Sequence, residues 1–367
     1  MRQALILAAA LAAALLAYLL LWPVPVSPAA WDAPEDAGFT GDFARNTDLA
    51  NLSMIDIAPF HGPEDVVALP DGRLVSSTQD GAILSIDPAS ERVEVLAETG
   101  GVPLGLEWDR TGRRVIVADA HKGLLAVGLD GTVTVLTDEV DGVPILYADD
   151  LDIAEDGVIY FSDASTKFGA AASATTLDAS LLEILESAGT GQLLSYDPRT
   201  GETRRVADGF VFSNGVAIAP DGDVLLLETG RYRVLKIDPQ TGKHTVLIDN
   251  LPGFPDNINR GPTVEGVGPT YFLGLASARV AILDDNSNKP ALRKIGARLP
   301  ASMSPQPSPY GIVFQIAADG TVLQSWQDPS GAYPATTGAI LVPSETLGDR
   351  MYVTSLESTS LGYRPYP

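Results

Sequence analysis

The feature that most constrains this fold is a recurring unit of two short apolar strands joined by a turn rich in Asp and Gly. It is clearest at residues 66–77, where the turn Pro70-Asp71-Gly72 separates two apolar runs. Similar turns follow at Gly112, Gly157 and Gly222, 40 to 65 residues apart. Further strands lie between them, so each unit has about four. Such units cannot bury both faces alone and must stack on one another.

The strands after residue 260 complete the count of units. They are expected at residues 270–275, 311–317 and 322–326 for a fifth unit and at 338–342 and 351–355 for a sixth. Residues 53–57 can supply the outer strand of the sixth unit and close a ring. We therefore predict an all-β fold, a six-bladed β-propeller, with an irregular β-sandwich as the alternative.

The N-terminus has a different character. Residues 4–22 carry no charge, Arg2 precedes them, and prolines and acidic residues follow. This length and flanking charge predict a single transmembrane helix that acts as an uncleaved signal anchor. The alternative is a signal peptide cleaved near Ser27-Pro28-Ala29-Ala30. We divide the chain into residues 1–36, anchor and linker, and 37–367, a propeller on the extracytoplasmic (periplasmic or luminal) side.

Composition excludes several classes of function. With 47 acidic and 24 basic residues the net charge is −23, which disfavours nucleic acid and adsorption to anionic lipid through a basic patch. The only membrane contact expected is the N-terminal helix. The absence of cysteine excludes disulfides, thiolate catalysis and cysteine-ligated zinc. Three histidines are too few for a His-rich metal cluster. The oligomeric state is not indicated.

One insertion interrupts the repeat between residues 167 and 191. Within it, residues 176–187 predict a short amphipathic helix, with Leu181, Leu182 and Leu185 on its apolar side. Thr176 or Asp178 is a candidate cap. The insertion is either an inert decoration or a roof over one end of the ring.

The phase of the repeat brings oxygen-bearing side chains together. The residue eight positions before a turn glycine begins an inner strand and is expected at the mouth of the channel. Carboxylate and amide oxygens without thiolates suit a hard cation, calcium before magnesium. The alternative is that these acidic residues bind no ion and that each caps a turn or faces water. The positions in phase carry Glu64, Asp149 and Asn214, with Leu104 as an apolar wall and Asp256-Asn257 at the start of the fifth unit.

The histidines give weaker signals. His61 lies three residues before Glu64 and can reach the mouth, whereas His121 follows a blade strand and is a candidate residue of the rim. His244 lies beside a turn and is expected in solvent. The sequence contains neither a Gly-x-Ser-x-Gly motif nor a phosphate-binding glycine loop.

Four strings give the chain a family resemblance: LYADDLDIAEDGVIYFSDAS, GQLLSYDPRTG, FSNGVAIAPDGDVLLLETGRYRVLKI and LPGFPDNINRG. Over roughly residues 50–362 it resembles the strictosidine synthase-like family, which includes the adipocyte plasma membrane-associated proteins. That family is allied with the paraoxonases and the gluconolactonase/regucalcin group. The resemblance implies a six-bladed propeller, often behind an N-terminal membrane anchor.

The resemblance also implies a calcium site. The matching ligands are Glu64, Asp149, Asn214, Asp256 and Asn257, and Asp149 stands where the family has asparagine. In paraoxonases a second, structural calcium uses the neighbours that match Asp65 and Asp150.

Two family positions bear on the reaction. Gly338 stands near the place of the glutamate with which strictosidine synthase condenses an amine and an aldehyde, so that activity is not expected. The paraoxonase histidine pair is not clearly reproduced, since Pro103-Leu104-Gly105 lies near one position and His121 near the other.

The resulting prediction is a calcium-dependent hydrolase of lactones or aryl esters, acting on a small-molecule ester or lactone. Glu64 and Asp149 are the first candidates to activate water, and His121 is a further catalytic candidate. One alternative is a membrane-tethered propeller that binds a ligand without catalysis. Another is a sugar lactonase of the gluconolactonase type, which the apolar insertion disfavours.

Overall fold

A computed structural model describes residues 1–300, 303 and 307–366. Its first element is α1 (Arg2–Leu21), an exposed helix that is long and apolar enough to cross a membrane. Helix α1 ends at the residues before Pro23, which cannot donate a helical hydrogen bond. A short 3-10 turn at Gly41–Phe43 and strand β1 (Ser53–Asp56) follow before the repeat begins.

Six four-stranded antiparallel sheets follow, as predicted. The first contains β2 (Val66–Ala68), β3 (Leu74–Ser77), β4 (Ala82–Asp87) and β5 (Arg92–Glu98). The second contains β6 (Pro103–Asp109), β7 (Arg114–Asp119), β8 (Gly123–Gly128) and β9 (Val133–Thr137). A small hairpin of β10 (Glu139–Val140) and β11 (Val143–Pro144) leads on to the third.

The remaining sheets repeat this order. The third contains β12 (Ala148–Ile153), β13 (Ile159–Asp163), β14 (Gly191–Asp197) and β15 (Glu202–Phe210), and the fourth β16 (Ser213–Ile218), β17 (Val224–Glu228), β18 (Arg233–Ile237) and β19 (His244–Ile248). The fifth contains β20 (Gly253–Arg260), β21 (Thr270–Ala278), β22 (Gly311–Ala317) and β23 (Val322–Asp328). The sixth contains β24 (Thr336–Val342), β25 (Arg350–Ser355) and β26 (Ser360–Pro365).

The ring closes as the sequence predicts. Strand β1 pairs antiparallel with β26, with Ser53 opposite Tyr363 and Ile55 opposite Leu361, and is the outer strand of the sixth blade. The first strand of each blade contacts the first strand of the next, so these six strands surround the channel. The fold is a six-bladed β-propeller.

The blade turns explain the glycines of the repeat. Gly72, Gly157 and Gly222 have φ of 90°, 87° and 88°, a left-handed conformation that costs glycine little. The second blade differs, because Arg113 has the positive φ of 52° there. At Gly112 a Cβ atom would lie 2.3 Å from Oδ2 of Asp109, so a larger residue there would push the side chain of Asp109 aside.

The inner strands share an irregularity that positions the site. In β6, β12, β16, β20 and β24 the pairing register shifts across two residues near the strand start. Such a β-bulge re-aims the side chains it contains. The bulged pairs are Leu104-Gly105, Asp149-Asp150, Asn214-Gly215, Asp256-Asn257 and Thr337-Gly338, and Glu64-Asp65 directly precede β2.

The two blade-external insertions contain the other helices. Helix α2 (Thr176–Glu186) lies where the sequence predicts it, but the predicted cap was wrong, because Thr175 accepts the N–H of Asp178 at 3.1 Å. Helices α3 (Ala281–Asp284) and α4 (Pro290–Gly296) lie between β21 and β22 and were not predicted. We call α2, α3 and α4 the lid.

Residues 23–36, which we call the strap, run from α1 over the lid. Val26 is fully buried, and the N–H of Ala29 donates to the carbonyl of Glu186 at 2.8 Å. Arg293 donates to the carbonyl of Ala29 at 2.8 Å, and Arg279 donates to the carbonyl of Pro34 at 2.7 Å. The domain boundary at residue 37 stays a prediction. The strap, which lies before that boundary, packs against the folded domain through these contacts.

Candidate metal centre and cavity

The five predicted ligands form one buried group at the mouth of the channel, which we call the mouth cluster: Glu64, Asp149, Asn214, Asp256 and Asn257. Each is at most 6% exposed. The amide of Asn257 donates to Oε1 of Glu64 at 2.8 Å, and the amide of Asn214 donates to Oδ1 of Asp256 at 2.7 Å. Residues from four blades thus come together, three of them through the bulges of β12, β16 and β20 and the fourth, Glu64, from the segment directly before β2.

The mouth cluster contains buried oxygens without a protein partner. They are Oε2 of Glu64, Oδ2 of Asp149, Oδ1 of Asn214 and Oδ1 of Asn257. Leaving one such atom unpaired costs about 1–3 kcal/mol. Four unpaired oxygens from four ligands, all hard donors, fit a calcium ion in number and chemistry.

The side chains of the mouth cluster are hydrogen-bonded to one another. Within residues 1–300, 303 and 307–366, no three His, Asp or Glu side chains are drawn together as a formed metal site. Instead, two amides of the mouth cluster donate to two of its carboxylates. The fit to calcium therefore rests on the unpartnered oxygens and on the donor chemistry.

The electrostatics of the mouth cluster favour a counter-charge. Burial raises the pKa of Glu64 well above its usual value, and the charges of Asp256, Asp65 and Asp149 raise it further. Burial and the charge of Asp256 likewise raise the pKa of Asp149, and burial raises the pKa of Asp256 to about 7. The cluster binds protons near neutral pH unless a cation replaces them.

Asp65 and Asp150, the predicted ligands of a second ion, lie one residue further along the same inner strands. Oδ2 of Asp65 accepts the N–H of Leu106 at 2.8 Å, and Oδ2 of Asp150 accepts the N–H of Val216 at 2.7 Å. Both carboxylates therefore tie their own inner strand to that of a neighbouring blade. The second ion stays a prediction.

A second group of charged side chains along the channel, Glu107, Asp152 and Arg260, was not predicted from the sequence. Arg260 forms an ion pair with Asp152 at 2.9 Å, and burial with the charge of Asp152 raises the pKa of Glu107 to about 8. Asp152 lies two residues after Asp150 on the same strand. The period-2 alternation of a strand places both on one face, so this signal was available in the sequence.

A cavity of about 920 Å³ lies over the mouth cluster. Glu64, Asp149, Asn214 and Asp256 form its polar floor, and Leu104 is part of the wall, as expected. Its other walls are largely apolar. The insertion at residues 167–191 is therefore a roof over the cavity, since α2 contributes Leu181, Leu182 and Leu185. The insertion between β21 and β22 adds Leu283 from α3 and Leu292 and Ile295 from α4.

The histidines separate in the structure. His61 lines the cavity, and its Nδ1 lies 2.8 Å from Oδ2 of Asp80. His121 is exposed in the turn between β7 and β8 and is not among the described residues that line the cavity. His244 is exposed at the start of β19, as expected. The structure thus brings His61, and not His121, to the site.

Gln79 is a further cavity residue that the sequence did not reveal. Its Oε1 accepts the hydroxyl of Thr176 at 3.0 Å, and its buried Nε2 has no protein partner. Helix α2 thus holds one end of this amide and leaves the donor end free beside the cavity. A free, fixed N–H donor beside an apolar cavity can bind an oxygen of a ligand.

The structure also describes the place of Gly338. A Cβ atom there would lie 2.5 Å from Oδ1 of Asn259 and 3.2 Å from Cβ of Asn257. A side chain at this position would require the amide of Asn259 to move and Asn257 to shift slightly. The surroundings of Gly338 therefore oppose the condensing glutamate, in agreement with the sequence.

Two family models match the chain. The model described as strictosidine synthase matches residues 149–237, and the model described as strictosidine synthase-like, N-terminal, matches residues 41–86. The matched segments contain Glu64, Asp149 and Asn214.

Two relatives extend the match over most of the chain. Protein strictosidine synthase-like 7 of Arabidopsis thaliana is 32% identical over 350 residues, which are 89% of this chain and 86% of the relative. The adipocyte plasma membrane-associated protein of Rattus norvegicus is 29% identical over 356 residues, 89% of this chain and 90% of the relative.

The fold is also similar to that of a solved structure. The calcium-binding protein regucalcin of Agrobacterium tumefaciens superposes with a TM-score of 0.57 at 14% identity, covering 86% of this chain and 95% of the other. At this identity the likeness supports the propeller fold alone.

Proposed function

Because this chain belongs to the strictosidine synthase-like family, we propose that it is a calcium-dependent hydrolase of lactones or aryl esters. The observation that carries the proposal is the mouth cluster. Four of its five residues carry a buried oxygen without a protein partner, and three of these, Glu64, Asp149 and Asn214, line the floor of an apolar cavity large enough for a small ester.

Glu64, Asp149, Asn214, Asp256 and Asn257 would hold the calcium ion. When bound, calcium supplies a positive charge that polarises a carbonyl and stabilises a developing oxyanion. The wall residues Leu104 and Phe212 exclude bulk water from the floor. The free N–H of Gln79 orients the ester by donating to one of its oxygens.

A base for the attacking water is available in two places. Glu64 and Asp149 lie in the floor, and their raised pKa values favour uptake of a proton. His61 is the second candidate, because the carboxylate of Asp80 fixes the Nδ1–H of its ring and leaves the lone pair of Nε2 free. His121 remains a candidate from the sequence and lies outside the cavity lining.

These two histidines give a matched test. We expect His61→Gln to lower kcat/KM for aryl esters by about 10²-fold, the usual contribution of a general base. His121→Gln should leave kcat/KM within about twofold, because His121 does not line the cavity. Steady-state kinetics of both variants checks this, and a loss confined to His121→Gln would instead place the base at the rim.

A substrate panel tests the proposed reaction class against its alternatives. Calcium-loaded protein should hydrolyse phenyl esters and alkyl-substituted lactones faster than sugar lactones, since the cavity walls are largely apolar. Sugar lactones as the preferred substrates would favour the sugar-lactonase alternative. Binding of these compounds with no turnover of any of them would favour a non-enzymatic propeller.

We further propose that α1 is an uncleaved signal anchor and that the propeller lies outside the cytoplasm. Cleavage near Ala30 would remove the fully buried Val26 and the carbonyl of Ala29 that Arg293 binds. The name of the membrane-associated relative supports attachment to a membrane. An intact N-terminus in the membrane fraction tests it, and a mature N-terminus at Ala30 or Trp31 would contradict it.

The strap yields a truncation prediction. A chain that begins at Trp22 should be soluble and nearly as stable as the intact domain, because it keeps every strap contact and the Trp22 carbonyl that Arg298 binds. A chain that begins at Ala37 should melt several degrees lower, since the buried guanidinium groups of Arg279 and Arg293 lose carbonyl acceptors. Thermal unfolding of both checks this, and equal melting temperatures would show that the strap contributes no stability.

A further inference from the structure

The lid has an outer surface as well as a cavity-facing one. Leu177 in α2, Ile282 in α3 and Leu292 in α4 line the cavity, yet they are 40%, 58% and 52% exposed. Large apolar side chains that lie at the rim of an apolar cavity and also face outward are typical of a surface that contacts another apolar phase.

Helix α1 and the residue after it contact the segment that directly follows α4 of the lid. The hydroxyl of Tyr18 donates to the carbonyl of Arg298 at 2.8 Å, and Arg298 donates back to the carbonyl of Trp22 at 2.6 Å. Tyr18 and Trp22 lie in contact, with ring centroids 5.7 Å apart. Such aromatic residues at the end of a spanning helix lie at the lipid headgroups. Arg298, two residues after α4, therefore lies at headgroup level.

The strap leaves little room between the membrane and the cavity. Pro25 lines the cavity and Val26 is fully buried in the domain. Four residue steps from Trp22 to Val26 span at most about 14 Å. The lid is thus held within that distance of the end of α1.

The charge around α4 suits a headgroup region. Residues 286–318 contain four basic residues and no acidic one, in a chain with a net charge of −23. Arg293 and Arg298 are buried, whereas Lys289 is exposed and Lys294 is half-buried. The net charge disfavours a basic patch on the domain as a whole. Segment 286–318 is a local exception, whereas α2 and α3 of the lid carry Asp178, Glu183, Glu186 and Asp284.

We propose that the outer surface of the lid, around Ile282 and Leu292, lies on the bilayer that α1 spans. The cavity then opens toward the membrane, and its substrate is a long-chain ester or lactone dissolved in the lipid. The substrate class rests on the proposed hydrolase function, whereas the membrane contact rests on the geometry of α1, the strap and the lid. Acyl chains can pass from lipid to the apolar cavity walls without entering water.

The membrane contact is tested without measuring hydrolysis. Because the chain has no cysteine, Ile282→Cys and Leu292→Cys each place one environment-sensitive fluorophore on the full chain. Val135→Cys is the matched control, because Val135 lies on the outer strand β9 and is 52% exposed, the same as Leu292. The proteins are reconstituted in phosphatidylcholine nanodiscs whose acyl chains carry a nitroxide quencher.

The proposal predicts quenching of the labels at 282 and 292 and none at 135. Equal quenching at all three, or none at any, would overturn it. This readout does not depend on turnover, so it decides the membrane contact even if the protein hydrolyses nothing.

The substrate class is tested by presenting a long-chain phenyl ester in two ways. The full chain in nanodiscs receives the ester either in the same discs or in separate vesicles, with calcium present. We expect hydrolysis in the same discs to be faster by about tenfold or more, because the shared membrane raises the effective concentration. Equal rates would overturn uptake from the membrane. No hydrolysis of this ester or of a soluble phenyl ester would instead contradict the proposed function.

Discussion

Replacing Asn214 or Asp256 with alanine should reduce kcat/KM for aryl esters or lactones by about 10²-fold or more. Each substitution removes an oxygen ligand from the mouth cluster and the hydrogen bond of 2.7 Å that joins the two residues. Preorganised charge at the reacting carbonyl commonly contributes that much. The propeller should still fold, since stacked blades and the pairing of β1 with β26 hold the ring.

A matched control separates loss of the site from loss of stability. Asp152 is also a buried carboxylate of the channel, but it binds Arg260 and the N–H of Ile218 instead of the mouth cluster. Asp152→Asn should lower the melting temperature and retain turnover per folded molecule. Retained turnover in Asn214→Ala and Asp256→Ala would refute the proposed site, and unfolding of both would assign the ion a structural role.

Calcium should stabilise the protein most at alkaline pH. Burial raises the pKa of Asp256 from 3.8 to about 7, so the folded state binds protons more tightly than the unfolded state between these values. Without an ion, this contribution to stability is present below about pH 4 and is lost as the pH rises through about 7. The raised pKa values of Glu64 and Asp149 act in the same direction.

Differential scanning calorimetry at pH 5 and pH 8, with chelator or calcium, checks this expectation. The chelated protein should melt several degrees lower at pH 8 than at pH 5. A calcium concentration of about 100 times the Kd at pH 8 adds about 2.7 kcal/mol there, and the same concentration should add less at pH 5, where protons compete for the carboxylates. A Leu104→Ala variant, which alters the wall and no ligand, should keep the calcium response. A melting temperature that calcium leaves unchanged at pH 8 would contradict the site.

The repeat allowed the fold and the mouth cluster to be predicted because both depend on local patterns. A turn glycine marks four of the six blades, and the residue eight positions earlier lies at or just before the start of an inner strand. Glu64, Asp149 and Asn214 therefore share one place in the ring. The β-bulges that contain Asp149 and Asn214 are a consequence of backbone pairing and leave no separate signal in the sequence.

What the sequence did not reveal depends on contacts between distant segments. The lid helices α3 and α4 are only four and seven residues long, too short for a helical period to stand out. His61 and Gln79 acquire meaning only when α2 folds over them, and Thr176 lies 97 residues from Gln79. The strap is held by backbone hydrogen bonds to Glu186, Arg279 and Arg293, and such bonds leave no periodic pattern in the sequence.

Removal and return of calcium during turnover tests the proposed metal site most directly. Purified full-length protein is treated with a chelator, assayed on phenyl esters and lactones, and assayed again after addition of calcium or magnesium. Chelation should abolish hydrolysis, calcium should restore it and magnesium should not, because the mouth cluster offers more ligands than magnesium takes from a protein. Hydrolysis that continues unchanged in fully chelated protein, or that is absent in calcium-loaded protein on every ester and lactone, would contradict the central claim.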